Sequence, residues 1–172
     1  MKRSFASLSP QQALDVAISI EKRNAEIYHR FAEMFTEFGD EQSLEIGAIF
    51  WEMAIEERGH YALLQQEYVE QYGSWSSSLT EEDLVELIEV PTLENGDVFG
   101  AGNDTHTSRG HALQVALCAE LSAQGFYRKL AEQTPTGPLQ QTYWDLAQME
   151  EGHVACLEAK LGQDTARSPR LQ

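Results

Sequence analysis

Cysteine is scarce in this chain of 172 residues, and its scarcity excludes two kinds of small metal-binding module. Only Cys118 and Cys156 are present, and they form no C-x-x-C pair. A zinc ribbon or a rubredoxin-type iron module needs paired cysteines at that spacing, so the sequence contains neither. We therefore expect a protein of a reducing compartment in which both cysteines are small residues of the helical core.

Basic residues are also few, which argues against nucleic acid and anionic membranes as partners. The 12 Lys and Arg residues are outnumbered by 28 Asp and Glu residues, and the formal net charge is −16. Such a surface repels phosphate groups and attracts metal cations, although acidic surfaces often serve only solubility. No run of 18 apolar residues and no apolar stretch of secretory character is visible. We expect a cytoplasmic, soluble protein of one domain.

What the chain does contain is an internal duplication. Trp51–His60 reads WEMAIEERGH and Trp144–His153 reads WDLAQMEEGH, so both segments end in Glu-x-x-His at a shift of 93 residues. Ala17–Glu33 and Ala116–Glu132 match each other at a shift of 99 residues. Together the two repeats predict two copies of one helical hairpin. The second repeat aligns Glu21 with Glu120 and Tyr28 with Tyr127.

Apolar residues recur at alternating steps of three and four, which predicts long helices packed in a bundle. Residues 73–105 break this pattern, with Thr80 and Asp83 placed to cap a short helix. A connection of that length can cross the bundle and start the third helix beside the second in parallel. We predict an all-α four-helix bundle over residues 1–162, built from two antiparallel hairpins and a long crossover, and a polar tail at 163–172. The first helix is predicted to begin with the capping signal of Ser9, Pro10 and Gln12 and to end at Gly39. The second helix is predicted from about Asp40 to Tyr72 and the third from about His106 to Gln133. The fourth is predicted from about Leu139 to Leu161, before Gly162.

Each predicted helix carries one Glu in a stripe that otherwise holds apolar residues, and two helices carry a His one turn further on. A buried, unpaired carboxylate costs several kcal/mol, and no Lys or Arg lies on these stripes. Two divalent cations would balance four carboxylates, and this oxygen-rich set suits iron or manganese better than structural zinc. The alternative is a solvated Glu face with ordinary polar histidines, which the matched registers of four helices disfavour. The residues concerned are Glu21, Glu57, His60, Glu120, Glu150 and His153.

Two tyrosines and three further glutamates lie near these positions. Tyr28 and Tyr127 follow a stripe Glu by two turns, where Tyr most often packs in the core. A buried carboxylate would, however, provide the partner that a buried hydroxyl needs. We therefore assign both tyrosines as candidate catalytic residues. Glu26, Glu56 and Glu151 are expected to be solvated surface.

With these residues the chain resembles the ferritin-like di-iron carboxylate superfamily, in which two helices each supply a Glu and two others each supply Glu-x-x-His. The resemblance extends from about residue 9 to residue 162 and implies the crossover bundle described above. It also implies two iron ions per chain, with manganese or a mixed pair as the alternative. By this resemblance Glu57 and Glu150 bridge the ions, Glu21 and His60 complete one of them, and Glu120 and His153 complete the other.

Within that superfamily the chain is most similar to single-domain rubrerythrins, with two departures from the better-known branches. Rubrerythrins have a further Glu one turn after the Glu120 position, where this chain has Ala123, and they commonly carry a rubredoxin module. Bacterioferritins have a haem-ligating Met after the first bridging Glu, where this chain has Arg58. No haem is therefore expected.

The resemblance implies a di-iron oxidoreductase that reacts with hydrogen peroxide or dioxygen in iron homeostasis or oxidative-stress defence. A peroxidase would draw on an external electron donor, whereas a ferroxidase would take Fe(II) as its substrate. The alternatives are an iron-binding or storage protein without turnover, a di-iron substrate hydroxylase, and a helical interaction module without metal. Long amphipathic helices with additional aromatic residues favour a homodimer.

Overall fold

The chain forms four long helices. The computed structural model describes residues 8–76, 79 and 105–167. No strand occurs among them, which confirms the all-α prediction. Most of the predicted crossover, including Thr80 and Asp83, lies outside the described residues. The helices are α1 (Pro10–Phe38), α2 (Glu41–Tyr72), α3 (Thr105–Gln133) and α4 (Pro138–Arg167).

The ends of the first hairpin are set by local hydrogen bonds, as the sequence predicts. Ser9 Oγ accepts from the Gln12 amide at 3.2 Å, and the Ser9 amide donates to Gln12 Oε1 at 2.9 Å. Gly39 ends α1 with φ of 72°, a left-handed conformation that glycine adopts without a steric penalty. Asp40 then caps α2, because its Oδ1 accepts from the Ser43 amide at 3.0 Å.

The fourth helix is longer than predicted. It continues through Gly162 to Arg167, so the expected end at Leu161 is wrong. The last turns are anchored by an ion pair in which Arg109 Nε donates to Asp164 Oδ1 at 3.2 Å, with both side chains buried. This contact with α3 offsets the cost of about 1 kcal/mol that a glycine imposes inside a helix.

The helices pair as two hairpins, α1 with α2 and α3 with α4. The relative direction of α2 and α3 follows from the contacts at their ends. Arg109, near the start of α3, donates through Nη2 to Gln42 near the start of α2 at 2.8 Å. Tyr68, near the end of α2, lies in the same apolar cluster as Leu130 near the end of α3. The two helices therefore run in parallel, as the predicted crossover requires.

Two apolar clusters occupy the two halves of the bundle. One cluster includes Leu14, Leu64 and Tyr143, and the other includes Phe31 and Phe50. Between the clusters each helix contributes a fully buried carboxylate, so an acidic layer divides the core at mid-height. The four carboxylates of this layer belong to Glu21, Glu57, Glu120 and Glu150.

Both cysteines lie at the surface, which corrects the prediction that they are core residues. Cys118 precedes the buried Glu120 by two residues, and that spacing places it roughly 200° around the helix from the buried face. Cys156 follows Glu150 by six residues and is likewise turned outward. Within the described part of the chain, no helix combines the length and the hydrophobicity that crossing a bilayer requires.

Candidate metal centre

The structure brings all six predicted ligand residues together in the acidic layer. The four glutamates have no exposed surface, while His60 and His153 retain 8% and 7%. Their ligand atoms form two overlapping groups, and within each group the atoms lie within 4.8 Å of one another. Glu57 and Glu150 belong to both groups. Glu21 and His60 complete the first group, and Glu120 and His153 complete the second.

Two of the carboxylates are held by a tyrosine from the opposite hairpin. The Tyr127 hydroxyl donates to Glu21 Oε1, and the Tyr28 hydroxyl donates to Glu120 Oε1. Burial, and then the charge of the adjacent carboxylate, raises the pKa of each tyrosine well above its usual value. Both hydroxyls therefore remain protonated and serve as donors.

The second oxygen of each of these carboxylates faces a histidine. His60 Nδ1 lies 3.2 Å from Glu21 Oε2, and His153 Nδ1 lies 3.2 Å from Glu120 Oε2. Both imidazoles thus point Nδ1 into the acidic layer and Nε2 away from it. Both oxygens of Glu21 and of Glu120 therefore have a neighbour: Oε1 accepts from a tyrosine hydroxyl, and Oε2 lies beside a histidine nitrogen.

The two shared carboxylates are less fully satisfied, because among the described residues only Glu150 Oε2 has a hydrogen-bond partner, His153 Nδ1 at 3.1 Å. No described residue forms a hydrogen bond with Glu57 Oε1, Glu57 Oε2 or Glu150 Oε1, although all three atoms are buried. Native proteins rarely leave buried oxygen atoms in this condition, because an unsatisfied polar group costs about 1–3 kcal/mol. A cation between the two groups would satisfy all three oxygens.

The electrostatics of the layer reflect four buried acids in one place. Burial, reinforced by the neighbouring carboxylates, raises the pKa of Glu57 and Glu150 well above the usual range. Burial also opposes ionisation of Glu120, but hydrogen bonds from Glu150 and His153 outweigh it and lower its pKa. Without a cation, protons therefore balance part of the negative charge.

The histidines respond to the same charges. Burial disfavours protonation of His60 and His153, yet the adjacent carboxylates outweigh burial and raise the pKa of both imidazoles. A protonated imidazole cannot bind a metal, so a cation would replace these protons as the balancing charge. The donor set offers carboxylate oxygens and one imidazole per group, and both are common metal ligands in proteins. The buried Glu and His groups can hold a metal ion.

The outer nitrogens of the two histidines have partners that the sequence alone does not predict. His153 Nε2 lies 2.7 Å from Glu56 Oε2, and His60 Nε2 lies 3.1 Å from Met149 Sδ. The sequence predicts solvated surface at Glu56, and its side chain is indeed 61% exposed, but its carboxylate also contacts His153. Each partner directly precedes a shared Glu in the sequence, but the histidine that it contacts depends on how α2 and α4 face each other.

A cavity of about 500 Å³ between α2 and α4 leads from the surface to both imidazoles. Its walls combine acidic and sulfur-containing side chains, and it brings small molecules and ions to the two imidazoles that border the acidic layer. The cavity is lined by Ile49, Glu52, Met53, Glu56, His60, Met149, Gly152, His153 and Cys156.

The other two glutamates predicted to be solvated are at the surface. Glu26 is exposed, and the exposed Glu151 accepts a hydrogen bond from Arg128 at 3.1 Å.

No protein-family model matches the sequence, and no curated protein and no solved structure matches it either. The function of the chain is therefore inferred from the geometry of the acidic layer and from the sequence pattern of its residues.

Proposed function

We propose that this protein is a di-iron oxidoreductase of the ferritin-like carboxylate type, similar to single-domain rubrerythrins, that reduces hydrogen peroxide or reacts with dioxygen. The observation that supports this proposal best is the pair of overlapping ligand groups that share Glu57 and Glu150. Two shared carboxylates with unsatisfied oxygens fit the bridging role that the superfamily gives to these positions. The two groups then correspond to two adjacent ions.

The protein's own residues would prepare this centre in three ways. Glu21 and Glu120 are fixed by tyrosine hydroxyls, so they are oriented before an ion binds. The apolar clusters on either side of the acidic layer limit the access of water. The cavity between α2 and α4 admits a molecule as small as peroxide. The iron pair would supply two electrons, which reduce H2O2 to two water molecules when two protons are added.

Ferroxidase activity, with Fe(II) as substrate, is the second candidate. It is favoured by the acidic side chains in the cavity wall, because Glu52 and Glu56 would attract a cation toward the histidines. The peroxidase needs an external electron donor to restore the reduced state, whereas the ferroxidase releases its iron as product. Stopped-flow mixing of the di-ferrous protein with peroxide and with dioxygen separates the two. A reaction with peroxide no faster than that with dioxygen counts against the peroxidase.

Metal content per chain after anaerobic loading with Fe(II) tests the proposal. Wild type is expected to retain about two ions, in keeping with the two ligand groups. The double variant Glu57→Gln with Glu150→Gln keeps the side-chain volumes but removes both shared carboxylates, so it should retain none.

The matched control is Glu26→Gln with Glu151→Gln, which changes the net charge equally at two exposed positions. Circular dichroism verifies that all variants fold. A wild type that holds no stoichiometric metal overturns the proposal and leaves an acidic helical bundle. Iron uptake far beyond two ions in a cage-sized assembly would instead favour a storage protein.

The homodimer and the absence of nucleic-acid and membrane partners remain proposals. The dimer is supported by large apolar residues that α2 exposes along its length, and analytical ultracentrifugation tests it. The net charge of −16 supports the other two expectations. The exposed apolar residues of α2 include Leu44, Trp51, Ile55, Leu63 and Val69.

A further inference from the structure

The internal repeat matches every residue of the acidic layer in pairs, but it fails at the outer partners of the histidines. The shift of 93 residues that relates Glu57 to Glu150 also relates Glu56 to Met149. One copy of the motif therefore has a carboxylate where the other has a thioether. These two side chains are the ones that contact the outer imidazole nitrogens.

The contacts cross between the hairpins. Because α2 and α4 are antiparallel, the residue before the shared Glu of one helix lies level with the histidine of the other. Glu56 on α2 thus faces His153 Nε2 at 2.7 Å, and Met149 on α4 faces His60 Nε2 at 3.1 Å. The outer contacts are arranged alike and differ in the chemistry of the acceptor. On the inner side, His153 Nδ1 also lies 3.1 Å from Glu150 Oε2 and 3.3 Å from Glu57 Oε1, whereas the shared carboxylates lie 3.7 Å from His60 Nδ1.

The two partners are unequal acceptors. An imidazole that binds a metal through Nδ1 carries its proton on Nε2 and donates it outward. A carboxylate accepts this proton strongly, which fixes the ring and makes the metal-binding nitrogen more basic. A thioether sulfur is a weak acceptor and does neither. Removing such a carboxylate from a metal-bound histidine typically lowers metal affinity about 10- to 100-fold.

We propose that the two metal positions are therefore inequivalent, an inference that rests on the proposed metal centre. The position formed by Glu120 and His153 binds its ion more tightly, because Glu56 supports its imidazole. The position formed by Glu21 and His60, backed by Met149, binds its ion more weakly. Glu56 and Met149 are positioning residues that set the order of loading.

Anaerobic titration with Co(II), followed by calorimetry and visible absorption, measures the two affinities. Wild type should bind two ions in steps that differ about 10- to 100-fold in affinity. Glu56→Gln removes the charged acceptor and should bring the two steps together. Met149→Glu supplies a carboxylate to His60 and should strengthen the weaker step by a similar factor.

The matched control is Glu52→Gln, which removes one negative charge from the same cavity wall at an exposed position. Because Glu52 contacts neither imidazole and only attracts cations to the cavity, its loss should weaken both steps alike and leave their separation unchanged. An equal effect of Glu52→Gln and Glu56→Gln would mean that cavity charge, and not the contact with His153, sets the affinity, and this result overturns the inference.

The location of the first ion is tested directly by anomalous scattering from crystals grown with one equivalent of Co(II). The ion is expected beside Glu120 and His153, and an ion beside Glu21 and His60 overturns the inference. Two equal steps in wild type also overturn it while leaving the metal centre intact. No binding in wild type overturns both, so the two failures are distinguishable.

Discussion

Tyr28 and Tyr127 each place a hydroxyl on a carboxylate of the opposite hairpin, and this exchange makes two buried charges tolerable. Each hydroxyl donates to an oxygen that is wholly shielded from water. Because each donor comes from the other hairpin, Glu21 and Glu120 obtain their hydroxyl donors only when the two hairpins pack together. The two tyrosines thus couple the acidic layer to the assembly of the bundle, and the catalytic role that the sequence suggests for them stays a prediction.

Tyr127→Phe should destabilise the protein because it leaves Glu21 Oε1 buried without its donor. We expect the free energy of unfolding to fall by about 1–3 kcal/mol, the usual cost of an unsatisfied buried acceptor. Tyr28→Phe should have a similar effect through Glu120. Urea denaturation of the metal-free protein measures both changes.

Tyr68→Phe is the matched control for these variants. The Tyr68 hydroxyl accepts from Gln11, whose side chain is exposed and can bind water instead. The loss should therefore be below about 1 kcal/mol. If all three substitutions cost the same, the carboxylates do not depend on the tyrosines in the way argued above.

At the scale of single residues, the sequence predicted which six side chains meet in the acidic layer but not which residues surround them. The repeat identifies the six central residues, because burying a Glu on each of four helices requires a common reason. Glu56 and Met149 could not be identified in that way, since their role depends on how α2 and α4 face each other. The cysteines show the same limitation: a helical pattern does not reveal which face a small residue occupies.

At the scale of the helices, local chemistry predicts some ends and tertiary contacts decide others. The cap at Ser9 and the left-handed Gly39 were predictable because each acts within one turn of the chain. The end of α4 was not, because Gly162 is a strong stop signal that the distant pair of Arg109 and Asp164 overrides. A local rule therefore fails where a buried contact from another helix is present.

Gly47 lies where α1 and α2 come close together, and replacing it should push them apart. A Cβ at Gly47 would lie 3.3 Å from the carbonyl oxygen of Ala32, a backbone atom that cannot rotate away. Overpacking of this kind typically costs about 1–3 kcal/mol. We expect Gly47→Ala to lower stability although alanine favours the helix.

Gly125→Ala is the counterpart within α3. Apart from the helix's own backbone, no atom in the described part of the protein lies within 4 Å of the point that a Cβ at Gly125 would occupy, so the substitution is free of strain. The higher helix propensity of alanine should raise stability by up to about 1 kcal/mol. Chemical denaturation of the two variants should show that the free energy of unfolding falls in Gly47→Ala and rises in Gly125→Ala. A rise in Gly47→Ala would show that the two helices can readily move apart.

At the scale of the whole molecule, the acidic layer separates two apolar clusters that would otherwise form one core. The bundle thereby holds four acids at its centre, where burial and mutual repulsion favour the protonated forms of Glu57 and Glu150. A cation that binds this layer only in the folded state stabilises the fold by mass action. A substitution that weakens metal binding should consequently also lower the free energy of unfolding measured with metal present.

Removal of metal should lower the unfolding temperature. At an ion concentration of 100 times Kd, each occupied position adds about 2.7 kcal/mol, and for a chain of this size about 1 kcal/mol corresponds to roughly 2–4 °C. We therefore expect Mn(II), chosen because it does not oxidise in air, to raise Tm by at least about 5 °C.

The variant Glu57→Gln with Glu150→Gln should show no such rise, because its amides cannot replace the shared carboxylates. Its metal-free form should be at least as stable as metal-free wild type, since it no longer buries two acids. A less stable metal-free variant would mean that these carboxylates support the fold by themselves, without a metal.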